Sequence, residues 1–323
     1  MKMINKIRDL ISSKKPKKFK KAVVTGGLGF IGSHIVDKLA DNDEFDEIIV
    51  IDNQSSEVHE EFYFNKSWKV RNFIFDISDF EMIKPLFKDA DIVFHCAAES
   101  RIQPAINNPT LAARTNVTGT CNVLQAAREA GCDRVIYSST SSAYGLKNTP
   151  PLKETMENDC LNPYSVTKVA GEELCKMYTE LFGLKTIIFR YFNVYGDRQP
   201  LKGQYAPVVG LFLKQRYAGK KMTVVGDGLQ TRDYTNVADV VNANILAMDC
   251  KEGFGEIYNV GTGKSHSIMD IVKLIGGKYT NIPERIGESR HTKANTKKIQ
   301  KILNWKPTVK LEDYLRTEVG LLK

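Results

Sequence analysis

Thr25-Gly26-Gly27-Leu28-Gly29-Phe30-Ile31-Gly32-Ser33-His34 is the stretch that decides the fold of this chain. Its glycines at 26, 29 and 32 follow an apolar run over 22–25 and open a helical pattern over 32–41. Lacking Cβ atoms, they permit a tight turn. They also let an anion approach the free N–H groups and positive dipole end of the following helix. Between a strand and a helix, this pattern points to a dinucleotide pyrophosphate, with Phe30 and Ile31 beside it.

Working outward, Asp52 closes a second apolar run over 47–51, twenty residues beyond Gly32. Its carboxylate suits an adenosine ribose and repels a 2′-phosphate, so NAD is expected rather than NADP. Asn53 follows in the same turn. After a third run over 72–75, Asp76 and Ile77 are candidates to hold adenine. Beyond a fourth, over 92–96, Ala97 and Ala98 are small enough for the cofactor to cross the sheet edge.

Further apolar runs over 134–138 and 186–190, with helical patterns over 109–130 and 164–182, continue the alternation. Short runs rich in Val, Ile and Phe read as strands buried on both faces, and each parallel connection needs a crossover helix. The expectation is an α/β chain with a doubly wound parallel sheet of the Rossmann kind. Past residue 190 the pattern turns to loops and shorter elements, with Gly196, Pro200, Gly203, Pro207, Gly226 and Gly228. A smaller, interleaved C-terminal substrate lobe over 191–323 follows from this. Val224, 234–241 and 256–260 are expected to return to the main sheet, giving returning segments near 234–262 within a nucleotide-binding domain over 21–190.

With 323 residues, 42% hydrophobic and 26% charged, the chain is neither a disordered tail nor a disulfide-stapled mini-protein. No apolar window approaches the roughly 18 residues of a membrane span, and no secretory signal is visible. Six cysteines without paired or metal-ligand spacing suit reduced thiols, a cytosolic location and no metal site. The net charge of +8 is confined to residues 1–21, which hold nine basic residues and one acid, leaving 37 of each sign elsewhere. Nucleic acid is therefore not an expected partner of the body. The extension over 1–20 combines Ile4, Ile7 and Ile11 with a lysine run. A solvated tail is the ordinary reading, and peripheral contact with an anionic membrane is the sharper one.

Tyr164 and Lys168 stand four residues apart at the start of the pattern over 164–182, so they share a helix face. An ammonium there is expected to lower the phenol pKa from about 10 and prepare it as a general base. Alone, such a pair is commonplace on helix surfaces.

In company it is not. TGGLGFIGSH from Thr25, FHCAA from Phe94, NVTGT from Asn116, YSSTSSAYG from Tyr137 and NPYSVTK from Asn162 are joined by RYFNVYG from Arg190, GDGLQTRDY from Gly226, YNVGTG from Tyr258 and RIGESRHTKAN from Arg285. Over 21–319 this set resembles the extended short-chain dehydrogenase/reductase family, and within it the nucleotide-sugar 4-epimerases. The resemblance implies Tyr164 as catalytic base, Lys168 as its electrostatic partner and nicotinamide-ribose anchor, and Thr140 as the hydroxyl on the reacting sugar oxygen. It also implies Asn116 near the cofactor, Asn193, Arg232 and Arg285 on the diphosphate, Glu288 on its ribose and Thr292 beside the sugar C2 substituent. The implied reaction is NAD-dependent epimerisation of a UDP-hexose through a 4-keto sugar, with the N-acetyl forms admitted because threonine is small. Related dehydratases and decarboxylases carry an acid directly after the catalytic Ser/Thr, where this chain has Ser141-Ser142. A uronate 4-epimerase, a net reductase and a non-catalytic NAD sensor remain alternatives at this point. A homodimer packed through 109–130 and 164–182 is also implied.

Overall fold

A computed structural model describes residues 19–56, 61–201, 207–284 and 289–320. Residues 1–18 of the basic extension, Arg285 and Glu288 lie outside the described residues. Strand β1 (Lys21–Thr25) runs into helix α1 (Phe30–Ala40), followed by β2 (Glu47–Ile51), β3 (Val70–Phe73) and β4 (Ile92–His95). Then come α2 (Thr120–Glu129), β5 (Arg134–Thr140), α3 (Pro163–Phe182) and β6 (Lys185–Tyr191). Beyond these lie α4 (Val208–Tyr217), α5 (Val237–Met248), β7 (Glu256–Val260) and α6 (Ile268–Ile275).

One seven-stranded sheet has the order β7-β6-β5-β4-β1-β2-β3, parallel at every pairing. Successive residues of a strand point to opposite faces, so β1 sends Val24 into one core and Val23 into the other. The first core packs Ile35 and Leu39 of α1 and Val240 and Ala243 of α5 on the sheet. The second packs Val123 and Leu124 of α2 and Cys175 of α3 on its other side. The order reverses between β1 and β4, and in doubly wound sheets that switch point opens a ligand crevice at the strands' carboxyl ends.

Several elements depart from expectation. β3 pairs Val70 with Ile48 and ends at Phe73, two residues before the apolar run does. Ile74, inside that run, is about half exposed, because an edge strand need not bury its last apolar residues. The helix expected over 109–130 divides into Pro109–Ala113, a π-turn at Arg114–Gly119 and α2. Gly119 in that turn touches Ile77, and a Cβ there would fall 2.6 Å from Ile77 Cδ1.

Of the segments expected to rejoin the main sheet, 256–260 does so as β7. Val224 lies instead in Met222–Val225, paired with Tyr279–Ile282 in a separate two-stranded sheet. Thr235–Asn236 pairs with Val194–Tyr195, and Asn236 then caps α5. Phe19, counted with the extension by its lysine neighbours, is buried and stacks on Phe45 at 6.4 Å. Charge counting cannot register a single anchoring ring. Among the described residues no helix is long and apolar enough to cross a membrane.

Candidate functional site

A cleft of about 520 Å³ lies over the carboxyl ends of the strands, between the glycine turn and the C-terminal lobe. At its nucleotide end, Gly26 has φ +68° and stands so close to the next strand that a Cβ would fall 2.6 Å from Ala97 N. A Cβ on Gly32 would fall 2.1 Å from Gly26 O, so helix and turn can meet only through glycine. Gly29 precedes α1 without a side-chain cap, and no acid stands in the first turn of the helix. Its N–H groups are thus left to an anionic ligand. Phe30, Ile31, Asn53, Ile77, Ala97 and Ala98 line this end, as expected from their positions.

Asp52 also lines the cleft and is tied to the turn, its Oδ2 accepting from Leu28 N at 3.1 Å and its Oδ1 from Gln54 N at 2.8 Å. Asp76 stands one layer back and accepts from Asn53 Nδ2 at 3.2 Å. Against the upward push of burial, hydrogen bonds from Ser78 and Asn53 hold its carboxyl below the usual range.

At the other end, Thr140 closes β5 and Tyr164 opens α3 behind the capping box of Asn162 and Ser165. Both line the cleft. Burial pushes the Tyr164 phenol up, opposed by the neighbouring Thr140 side chain. Lys168 is buried, with Nζ 4.2 Å from the centre of the Tyr137 ring rather than in the cleft wall. Burial draws its ammonium down to about 8, against the pull of Cys96, Cys175 and Glu172.

Asn116 is likewise behind the wall. Its side chain accepts from Glu99 N at 2.8 Å and donates to Glu99 O at 3.0 Å and Thr167 Oγ1 at 2.9 Å. With those bonds made, Asn116 clamps the loop after β4 to α3. In the C-terminal lobe, Asn193 and Arg232 line the cleft. Asn193 Nδ2 donates to Asp233 O at 3.1 Å, and Arg232 Nη1 donates to the carbonyls of Thr231 and Arg290. Thr292 is buried beneath Asn193, its hydroxyl accepting from Asp233 N at 3.3 Å and facing Asn193 Nδ2 at 3.4 Å. It reaches the cleft through Asn193. Among the described residues no His, Cys, Asp and Glu cluster is arranged to hold a metal.

Sequence reasoning missed Glu172. It stands on the face of α3 that carries Tyr164 and Lys168, fully buried, and receives Arg190 Nε at 2.8 Å, Arg190 Nη2 at 2.6 Å and Ser139 Oγ at 2.5 Å. Glu172 thereby joins α3 to Ser139 of β5 and Arg190 of β6. The repeat of Tyr164, Lys168 and Glu172 at four-residue spacing was the available signal.

The profile of the NAD dependent epimerase/dehydratase family matches residues 22–261. The chain belongs to that family. It is 34% identical to the crystallised UDP-glucose 4-epimerase of Thermotoga maritima with UDP-glucose, at a TM-score of 0.86, covering 93% of this chain and 98% of the other. Against the UDP-N-acetylglucosamine 4-epimerase of Methanobrevibacter ruminantium M1 in complex with UDP-N-acetylmuramic acid, identity is 32% and TM-score 0.87, over 94% and 98% of the two chains. It is also 34% identical to the UDP-N-acetyl-alpha-D-glucosaminuronate decarboxylase of Bacillus cytotoxicus, over 93% and 97%. As an NAD-dependent epimerase/dehydratase, the chain takes NAD as its cofactor. The cradle at Gly26 and Gly32, the uncapped start of α1 and Asp52 at the ribose position fit that dinucleotide.

Proposed function

We propose that this protein catalyses reversible 4-epimerisation of a UDP-hexose, UDP-glucose with UDP-galactose and also the N-acetyl pair. The observation that carries this reading is that Thr140 and Tyr164 stand together on the wall of the cleft the glycine turn opens, with Thr140 followed by Ser141-Ser142 rather than by an acid. Thr140 positions the sugar O4 and Tyr164 takes its proton, returning it after the 4-keto sugar has presented its other face. NAD, when bound, supplies reversible acceptance of the C4 hydride. Gly26, Gly29, Phe30, Ile31 and Gly32 hold its pyrophosphate end, and Asp52, Asn53, Asp76 and Ile77 its adenosine end. Ala97 and Ala98 leave room for its passage.

Dehydration and decarboxylation lack support here, because no carboxyl group follows Thr140 to act on C5 or C6. Asn193 and Arg232 grip the diphosphate, with Arg285 and Glu288 assigned to the same nucleotide by their motif. Arginine suits this because its planar fork offers two donors to phosphate oxygens. The resemblance places Thr292, small and packed below Asn193, on the side of the sugar C2 substituent, which favours admission of an acetamido group. Exposed Leu111, Val166 and Leu181 on the segments over 109–130 and 164–182 suit burial against a second copy in a homodimer.

The test is incubation with UDP-glucose, UDP-N-acetylglucosamine and UDP-glucuronate, with products read by NMR. Interconversion of the first two with their galacto epimers, without NADH accumulating, is expected. Tyr164→Phe should retain NAD and lose turnover by about 10² to 10⁴ fold. Loss of water or CO₂ from substrate, or full activity in Tyr164→Phe, contradicts the proposal.

A further inference from the structure

The reading of Tyr164 as a base requires a charged Lys168 held in one place, and what holds it rests on that reading. Glu172, the acid one turn further along α3, already receives Arg190 and Ser139. The aromatic face of Tyr137 stands nearer to the ammonium than an ordinary packing partner needs to, with Nζ 4.2 Å from the ring centre. Tyr137 is itself locked in place. Its hydroxyl donates to Lys168 O at 3.1 Å, and Gly171 makes room for it, since a Cβ at 171 would fall 2.2 Å from the Tyr137 Oη. The His95 ring also lies 5.5 Å from that of Tyr137. That imidazole is fixed between Thr25 Oγ1 at 2.6 Å and Thr120 Oγ1 at 2.9 Å.

We propose that Tyr137 is the positioning residue for Lys168, its ring face carrying the ammonium while its hydroxyl fastens the ring to the lysine's own backbone. A continuous buried train thereby runs from Thr25, the residue before the glycine turn, through His95 and Tyr137 to Lys168. A cation over an aromatic face is favoured over the neutral amine, most when both are dry. His95 supports this by staying uncharged: burial, then the charge of Lys168, takes its pKa down to about 3. The other titratable groups that face Lys168 are Cys96 after β4 and Cys175 and Glu172 on α3. Burial holds the Cys96 thiol up at about 11 and pushes that of Cys175 higher still, so both are neutral in the range that matters.

The test is a titration of the holoenzyme carrying ¹³C-labelled lysine, with the Lys168 signal assigned by its loss in Lys168→Arg, alongside the pH profile of kcat. In Tyr137→Leu the Lys168 midpoint should fall by about one pH unit. The alkaline limb of kcat should move with it, because the charged lysine is what the phenol needs. Tyr137→Phe keeps the face and should keep the midpoint. Should the leucine variant fold poorly, a polyfluorinated phenylalanine at position 137 preserves the ring's shape while reversing the charge of its face, and the same fall is expected. An unmoved midpoint in the leucine and fluorinated variants, or an equal fall in Tyr137→Phe, overturns the proposal. The lysine titration reads out even if no UDP-sugar is epimerised, which separates failure here from failure of the epimerase reading.

Discussion

Up to residue 191 the cleft is lined mainly from the ends of strands packed on both faces, whereas beyond it the lining comes from α4, short strands and a loop at Asn193 pinned by a buried carboxylate. On the first side, β1, β2, β4 and β5 are almost wholly buried, and the cleft residues follow from where each strand stops. On the second, Asp233 accepts from Thr262 N, Thr262 Oγ1, Gly263 N and Ala294 N, gathering three loops behind Asn193. Asp239 does the same with Thr308 and Val309. On the proposed function, the wall assigned the chemistry is held largely by hydrophobic packing. The wall assigned the nucleotide sugar is shaped by a few polar knots, each removable by one substitution.

The contrast has exceptions, and breaking the most deeply buried charged one should give the largest effect. Glu172 and Arg190 form a buried ion pair inside the apolar side, with side-chain exposures of 0% and 1%. Glu172→Gln leaves the guanidinium without a counter-charge and should cost about 3 to 5 kcal/mol of unfolding free energy, measured in urea without added nucleotide. A loss below about 1 kcal/mol would mean that the pair is incidental to holding α3.

Asp233→Asn should act more gently on stability and more selectively on function. The amide turns its NH₂ toward backbone donors and leaves them unsatisfied, at about 2 kcal/mol. Because Asn193 hangs from the carbonyl of residue 233, KM for the UDP-sugar should rise severalfold with kcat largely kept. If kcat falls and KM does not move, the polar knots serve the chemical wall as well and the division above is wrong.

The smallest effect belongs to the capping box of α6. Hydrogen bonds from Ser267 hold the Asp270 carboxyl below its ordinary value of 3.8. A folded pKa below the unfolded one gives stability that is complete above the unfolded value and lost as pH falls through the folded one. Asp270→Asn should therefore remove about 0.5 kcal/mol at neutral pH and flatten that part of the acid limb. An acid limb identical to that of the unsubstituted protein would dismiss the contribution.

What could be read without coordinates divides along the same line. The glycine turn and Asp52 were legible because strand-end positions follow from local patterns of apolar residues and glycine, Tyr164 was singled out by its spacing to Lys168, and Thr140 came only from the resemblance. Asn116 and Thr292 were assigned to the site but stand behind it, since a motif position does not say which way a side chain turns. The Lys168 ammonium lies over Tyr137, a contact between a helix and a strand 31 residues apart that no local pattern marks. Asp233 was out of reach for the same reason. Its partners stand 29, 30 and 61 residues away, and nothing local marks them.

The central claim is that one hydrogen leaves and re-enters the same sugar carbon while Tyr164 handles the proton. UDP-glucose deuterated at C4 tests it most directly, with the UDP-galactose formed in ordinary water analysed by NMR and mass spectrometry. The deuterium should remain on C4 of the inverted product, and in Tyr164→Phe no such product should accumulate on the same timescale. Deuterium washed into solvent, or a product changed at any carbon other than C4, would contradict the account.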